Sequence, residues 1–255
     1  MIRVAAVGDL HVGPDAVEPW RDALAPVSHT ADLLLLAGDL TRSGTFGDTM
    51  ALLDVLAPIT IPIVAVLGNH DFHAGQPEQV VAMLERIGVV VLEGSSIVYE
   101  VADREVGIAG TKGFGGGFEG ACGSEFGEPE MKRFARHTRT LAEGLERALS
   151  ALEADVRIAL LHYSPVAATL EGERLEIYPF LGSYLLGEAI DRAGADLVLH
   201  GHAHAGSERG STSAGVRVRN VAQPVLQRAY NLYCFAEGTG HRELARPEAG
   251  GECSS

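Results

Sequence analysis

Along the first half of the chain, short apolar runs alternate with stretches whose apolar positions recur every three or four residues. Ile2–Val7, Leu33–Ala37 and residues 61–67 are nearly continuous apolar runs, the pattern of strands covered on both faces. Residues 15–27, 46–57 and 76–87 carry helical spacing, the last with Pro77 in its first turn and Gly88 just past its end. This alternation predicts βαβ units and a largely parallel sheet. From residue 97 to 110 the pattern changes to two strands joined by Ala102-Asp103-Arg104-Glu105, a hairpin. A glycine-rich loop (residues 113–118) then leads to a predicted long helix, residues 129–153, with Met131, Phe134, Thr138, Leu141, Leu145, Ala148 and Leu152 on one face. Residues 157–161 and 197–199 read as further strands with a helix at 182–192 between them, and β-rich stretches at 216–221 and 229–235 follow. Residues 1–236 are expected to form one domain, and residues 237–255, rich in Gly, Glu, Arg and Ser, a flexible tail.

Five of these apolar runs end in a polar step of recurring chemistry: Asp9-Leu10-His11, Gly38-Asp39, Gly68-Asn69-His70-Asp71, His162, and Gly201-His202-Ala203-His204. In open α/β sheets, ligands gather beyond the carboxyl ends of the strands. Asp9, His11, Asp39, Asn69, His162, His202 and His204 are therefore expected on one rim of one sheet. Carboxylate, imidazole and amide donors without thiolate suit Mn²⁺, Fe or Zn²⁺ in a reactive centre better than a structural zinc knot. A tight turn lets His202 and His204 serve different ions, and Gly38 permits close backbone approach at Asp39. A central carboxylate can bridge two cations about 3.5–4 Å apart.

The motifs D-x-H, G-D, G-N-H-D, a single H and G-H-x-H, in that order from Asp9 to His204, resemble those of the calcineurin-like metallophosphoesterase family. The resemblance implies an α/β fold, a four-layer α/β/β/α sandwich of two mixed β-sheets flanked by helices. It implies a metal-dependent phosphoester hydrolase with two metal ions, Mn²⁺ and/or Fe, with Zn²⁺ also accommodated. Asp9, His11 and His204 would hold one ion, Asn69, His162 and His202 the other, and Asp39 would bridge. His70 would act on the substrate, protonating the leaving group or steadying the phosphate, with Asp71 orienting it; from its position alone, Asp71 could instead cap the following turn. The reaction would be in-line attack by a hydroxide shared between the metals, with no phosphoenzyme. No ligand position is replaced, which argues against a non-catalytic protein-binding scaffold on the same fold.

Charge narrows the substrate. A formal net charge of −14 disfavours docking on long nucleic acid but leaves open a small phosphoester, a nucleotide included, because bound metals reverse the local sign. Two divalent ions, two aspartates and a hydroxide leave one positive charge, which a phosphodiester monoanion neutralises. A monoester dianion would need one more cation, which Arg42 or Lys112 could supply. A phosphodiester is thus the first expectation, and a phosphomonoesterase or protein phosphatase the alternative. The first residues show no basic segment followed by an apolar run, and no window approaches the roughly 18 apolar residues that span a bilayer, so a cytoplasmic protein is expected. Cys122, Cys234 and Cys253 have no paired spacing and read as unpaired thiols.

Other positions carry two readings. His73 reads as a solvated loop residue or as a rim of the pocket, His200 as a satisfied core histidine or as a metal ligand, and His29, His137 and His241 as surface residues. The 113–118 loop is a substrate-shaping lid or a plain connection; no G-K-S/T step follows it, so it is not a nucleotide P-loop. Phe114 or Phe118 could stack on a base or anchor the loop, and Tyr163 could line the pocket.

Overall fold

The computed structural model of the protein describes residues 1–236 and 244–245. The remainder of the expected tail, with His241 and Cys253, lies outside the described residues. In chain order the elements are β1 (Ile2–Val7), α1 (Val17–Leu24), α2 (Val27–Thr30), β2 (Leu33–Ala37), α3 (Phe46–Leu56), β3 (Ile63–Val66), α4 (Pro77–Glu85), β4 (Val90–Val91), β5 (Ser95–Val101) and β6 (Arg104–Thr111). There follow β7 (Gly117–Phe118), β8 (Ala121–Cys122), α5 (Pro129–Ser150), β9 (Val156–Leu161), α6 (Tyr178–Leu181), α7 (Tyr184–Ala193), β10 (Leu197–His200), β11 (Arg209–Ser211), β12 (Arg217–Asn220), α8 (Gln223–Leu226), β13 (Asn231–Phe235) and β14 (Leu244–Ala245).

Two six-stranded mixed sheets carry the fold, in the orders β14-β13-β1-β2-β3-β4 and β11-β12-β10-β9-β6-β5. In the first, β1 to β4 run parallel and β13 pairs antiparallel with β1. In the second, β6, β9, β10 and β12 are parallel, with β5 and β11 antiparallel at the edges. The two-residue side-chain period decides how the sheets stack. Val106 and Ile108 of β6, with Val156, Ile158 and Leu160 of β9, join Val4, Leu33 and Leu35 in one core between the sheets. The alternate residues Ala109, Ala159 and Leu161 face outward onto Leu145 and Leu149 of α5 and Leu186 and Ile190 of α7. Leu24, Leu52, Leu56 and Leu84 of α1, α3 and α4 cover the far side of the first sheet. The result is the helix, sheet, sheet, helix layering that the motif resemblance implied. Every residue of β2 is fully buried, and burial of each of its leucines contributes about 1.5–3 kcal/mol.

Local chemistry sets the boundaries. Thr45 caps α3 by accepting from the Asp48 N–H at 3.2 Å, and Ser183 caps α7 through the Leu185 N–H at 3.3 Å. The helix expected at residues 15–27 is split into α1 and α2, because Pro26 lacks the N–H to continue the ladder. The hairpin turn is tighter than the expected four residues: Val101 pairs with Arg104, and Ala102 and Asp103 make the turn with φ of 49° and 60°. Part of the glycine-rich loop becomes β7, which pairs with β8. The loop is strapped to α6 and to the junction between α6 and α7 by Gly116 N–H donating to Pro179 O at 2.7 Å and Gly117 N–H to Gly182 O at 2.9 Å.

The reading of three unpaired thiols is corrected at Cys234. Cys122 is free and exposed, whereas Cys234, buried on β13, is disulfide-bonded; spacing along a chain does not report which thiols meet in space. Among the described residues, no helix is long and apolar enough to cross a membrane.

Candidate metal centre

All seven expected donors, and His70 with them, meet at one place. They do not come from one sheet, as expected, but from the facing carboxyl ends of both. Asp9 and His11 follow β1, Asp39 follows β2, and Asn69 and His70 follow β3, all in the first sheet. His162 follows β9, and His202 and His204 follow β10, in the second. The two rims are tied across the seam by His162 Nδ1, 2.9 Å from Ala37 O, and by the His202 N–H donating to Asp9 Oδ2 at 2.9 Å.

The backbone turns sharply at these positions. Asp9, His11, Asp39 and His202 are non-glycine residues in the left-handed region, at φ of 59°, 45°, 50° and 70°. Such geometry costs of order 1–3 kcal/mol per residue and persists where the surroundings over-determine it. Here Asp9 N–H donates to Gly38 O at 2.9 Å and His11 N–H to Asp39 O at 3.0 Å, lacing the β1 and β2 extensions together. Two glycines are required by close approach. A Cβ on Gly38 would lie 2.5 Å from Nδ1 of His162, and one on Gly201 would overlap Oδ2 of Asp9.

Ligand atoms form three overlapping groups, each within 4.8 Å: Asp9, His11 and His204; His11, Asp39 and His70; and Asp39, His162 and His202. Asp39 is shared by two of them. Its Oδ2 lies 3.8 Å from His11 Nε2 and 3.9 Å from His70 Nε2, and its Oδ1 lies 3.3 Å from His162 Nε2. Asn69 Oδ1 is 3.0 Å from His162 Nε2, and His204 Nε2 is 2.9 Å from Asp9 Oδ1.

Electrostatics suit cations. Burial lowers the His11 imidazole to about 4 and the His202 imidazole to about 3, and pushes His162 well below its ordinary value, so these rings are neutral and carry free lone pairs at pH 7. Burial raises the Asp9 carboxyl to about 6, while His204, hydrogen-bonded to Asp9, is raised. His11 Nε2 is buried with no hydrogen-bond partner, an orphaned lone pair aimed at the centre. Oxygen and nitrogen donors, neutral imidazoles and a shared carboxylate fit a pair of divalent ions.

Other residues resolve their two readings. Asp71 does not touch His70. It is fully buried and accepts from Leu40 N–H (3.2 Å), Thr41 N–H (2.8 Å), Thr41 Oγ1 (2.6 Å) and Gly68 N–H (2.8 Å). His70 Nδ1 is instead set by the Arg42 carbonyl at 2.8 Å. The orienting contact thus comes from a main-chain oxygen, because Asp71 faces four donors that leave it no acceptor free. His200 is a satisfied core residue, bonded to Gly201 O and Thr169 Oγ1, both at 2.8 Å. His29 and His137 are exposed, as is His73, whose ring lies 4.4 Å from that of His70. Arg42 is taken by an exposed ion pair with Asp15 at 2.6 Å. Tyr163 packs beside the centre, its ring 4.3 Å from that of His202, and Phe118 is buried as an anchor against Tyr178.

The calcineurin-like phosphoesterase family model matches residues 2–206. The chain therefore belongs to that family of metal-dependent phosphoester hydrolases. No curated protein sequence matches it significantly. Among solved structures it is similar to the phosphopantetheinyl hydrolase of Mycobacterium tuberculosis, with 18% identity, coverage of 86% of this chain and 88% of that one, and a TM-score of 0.66. A Staphylococcus aureus protein assigned as a 5′-nucleotidase is similar at 17% identity, covering 92% and 51% of the two chains with a TM-score of 0.59. GAP50, the anchor in the inner membrane complex of Plasmodium, is similar at 12% identity over 95% and 75%, with a TM-score of 0.53.

Proposed function

We propose that Asp9, His11 and His204 hold one metal ion, that Asn69, His162 and His202 hold a second, and that Asp39 bridges them in hydrolysis of a small phosphoester. The observation that carries this reading is the position of Asp39, whose two oxygens reach toward His11 on one side and His162 on the other. Two such ions, when bound, supply Lewis acidity and a water acidified enough to attack phosphorus near neutral pH. Their identity is drawn from Mn²⁺, Fe and Zn²⁺, since this donor set accepts each.

The chain's own residues do the rest. His70 presents Nε2 to the centre while its Nδ1–H is held by Arg42 O, so that in the imidazolium form Nε2 can give its proton to a departing leaving-group oxygen. Asp71 fixes the Thr41-Arg42 segment that carries that carbonyl. A nucleotide is one small substrate class in keeping with this reading, given the fold shared with the protein assigned as a 5′-nucleotidase. GAP50, an anchor, shares the fold too, but the complete donor set supports the enzymatic reading here.

The test is metal analysis beside steady-state kinetics on bis(p-nitrophenyl) phosphate and p-nitrophenyl phosphate with Mn²⁺. Asp39→Ala is expected to lose both metal and turnover, and His70→Ala to keep metal and lose about 10²–10⁴-fold in kcat. Unimpaired turnover by Asp39→Ala refutes the assignment.

A further inference from the structure

Beside the centre lies a buried cation that the metal assignment does not use. Lys112 follows β6 and is only 7% exposed. Its Nζ sits 5.0 Å from the ring centroid of Phe72, 4.9 Å from that of Phe114 and 5.2 Å from that of Tyr163. Among the described residues, Nζ has no hydrogen bond or ion pair; the Glu93 carboxylate takes the Lys112 backbone N–H at 3.3 Å and the Thr111 hydroxyl instead. Three aromatic faces offset part of the cost of burying an ammonium, but they accept no ordinary hydrogen bond. Its three N–H donors are therefore left for a ligand.

The surroundings identify that ligand's place. Two walls of the cage are continuous with the metal motifs: Tyr163 directly follows His162, and Phe72 lies three residues after Asn69. The Lys112 carbonyl also accepts the His162 N–H at 3.1 Å. Burial lowers the ammonium's pKa, and the Glu93 carboxylate first and Asp39 second oppose that lowering. The other cation considered for this duty, Arg42, is committed to Asp15.

On the reading of a two-metal phosphoester hydrolase, we propose that Lys112 is a substrate-binding residue that contacts a non-bridging phosphate oxygen, and that it tunes the site to a dianionic phosphoryl group, a phosphomonoester, over a diester. Two divalent ions, Asp9, Asp39 and a hydroxide leave one positive charge; Lys112 adds a cation at the phosphoryl oxygens, which favours a dianion over a diester monoanion, while the Glu93 carboxylate is turned to the Thr111 hydroxyl and the Lys112 N–H. The aromatic cage fixes the ammonium's position while leaving its donors free. This reverses the order of preference that charge counting without Lys112 suggests.

The experiment compares wild type, Lys112→Met, which keeps the apolar stem, and Lys112→Arg, all metal-loaded. Kinetics on p-nitrophenyl phosphate and bis(p-nitrophenyl) phosphate are read beside calorimetric binding of inorganic phosphate. Wild type is expected to prefer the monoester. Lys112→Met is expected to lower the monoester-to-diester ratio of kcat/KM roughly 10- to 100-fold, chiefly through KM, and to weaken phosphate binding by a similar factor, with metal content retained. Lys112→Arg should recover part of both. Equal losses on the two esters, or unchanged phosphate affinity, overturn the proposal. If metal-loaded wild type turns over neither ester, the hydrolase assignment fails, while phosphate binding still decides the role of Lys112. Should Lys112→Met not fold, Lys112→Gln carries the same readouts.

Discussion

Nδ1 of His70 lies 2.8 Å from the carbonyl oxygen of Arg42, and this contact sets the ring. With Nδ1–H engaged by the carbonyl, Nε2 is the atom facing Asp39, and it has a proton to donate when the ring is an imidazolium. The carbonyl itself is held by its neighbour Thr41, whose N–H and hydroxyl both donate to Asp71. A buried carboxylate thereby positions an imidazole ring to which it makes no hydrogen bond.

Asp71→Asn tests that chain of contacts. The amide puts a donor where two of the four groups already donate, leaving buried N–H groups unpaired, so a loss of roughly 2–4 kcal/mol in stability is expected. Denaturant unfolding measures it. In the folded fraction kcat should fall with metal content retained; a variant of full stability and activity overturns the account.

Gly201→Ala should empty the first metal position. An alanine methyl there overlaps Oδ2 of Asp9, so the carboxylate or the turn must move. Metal analysis is expected to show at least one equivalent lost, with the melting temperature lowered. Two bound equivalents in the variant would show that the close approach is dispensable.

His200 predicts an acid dependence of the metal-free protein. Burial lowers its pKa to about 4, against 6.5 for the free side chain. A base depressed in the folded state contributes stability that is present above pH 6.5 and lost as pH falls toward 4, about 3 kcal/mol in all. His11 and His202 shift in the same direction, so His200→Gln isolates the contribution. Unfolding curves of the chelated proteins at pH 7.5, 5.5 and 4.5 should show a shallower decline for the variant.

Chelation should destabilise the metal-loaded protein. An ion that binds only the folded chain adds about 2.7 kcal/mol at one hundred times its Kd. For a domain of this size that corresponds to a drop of roughly 5–10 °C in Tm on adding EDTA, read by calorimetry.

Much of this was legible in the residues. The apolar runs announced β1, β2 and β9 because strands covered on both faces leave few polar positions, Arg3 and Arg157 being the exceptions near the strand starts, and the polar step after each run located the donors. The split of those donors between two sheets was not legible from spacing, since βαβ alternation describes neighbours along the chain and not which sheet a later strand joins. The partners of Asp71 lie about 30 residues away in sequence, at Leu40 and Thr41. A carboxylate's choice among main-chain donors leaves no periodic trace. The cage around Lys112 draws on Phe72, Phe114 and Tyr163, from three separate segments, so only folding brings it together. Cys234 illustrates the same limit.

The centre straddles a seam. Asp9, His11, Asp39 and Asn69 arrive on one sheet and His162, His202 and His204 on the other, so neither half of the sandwich owns a complete coordination set. Bound ions would act as rivets between the layers, and any breathing motion that parts the sheets at this rim would dismantle both coordination shells at once.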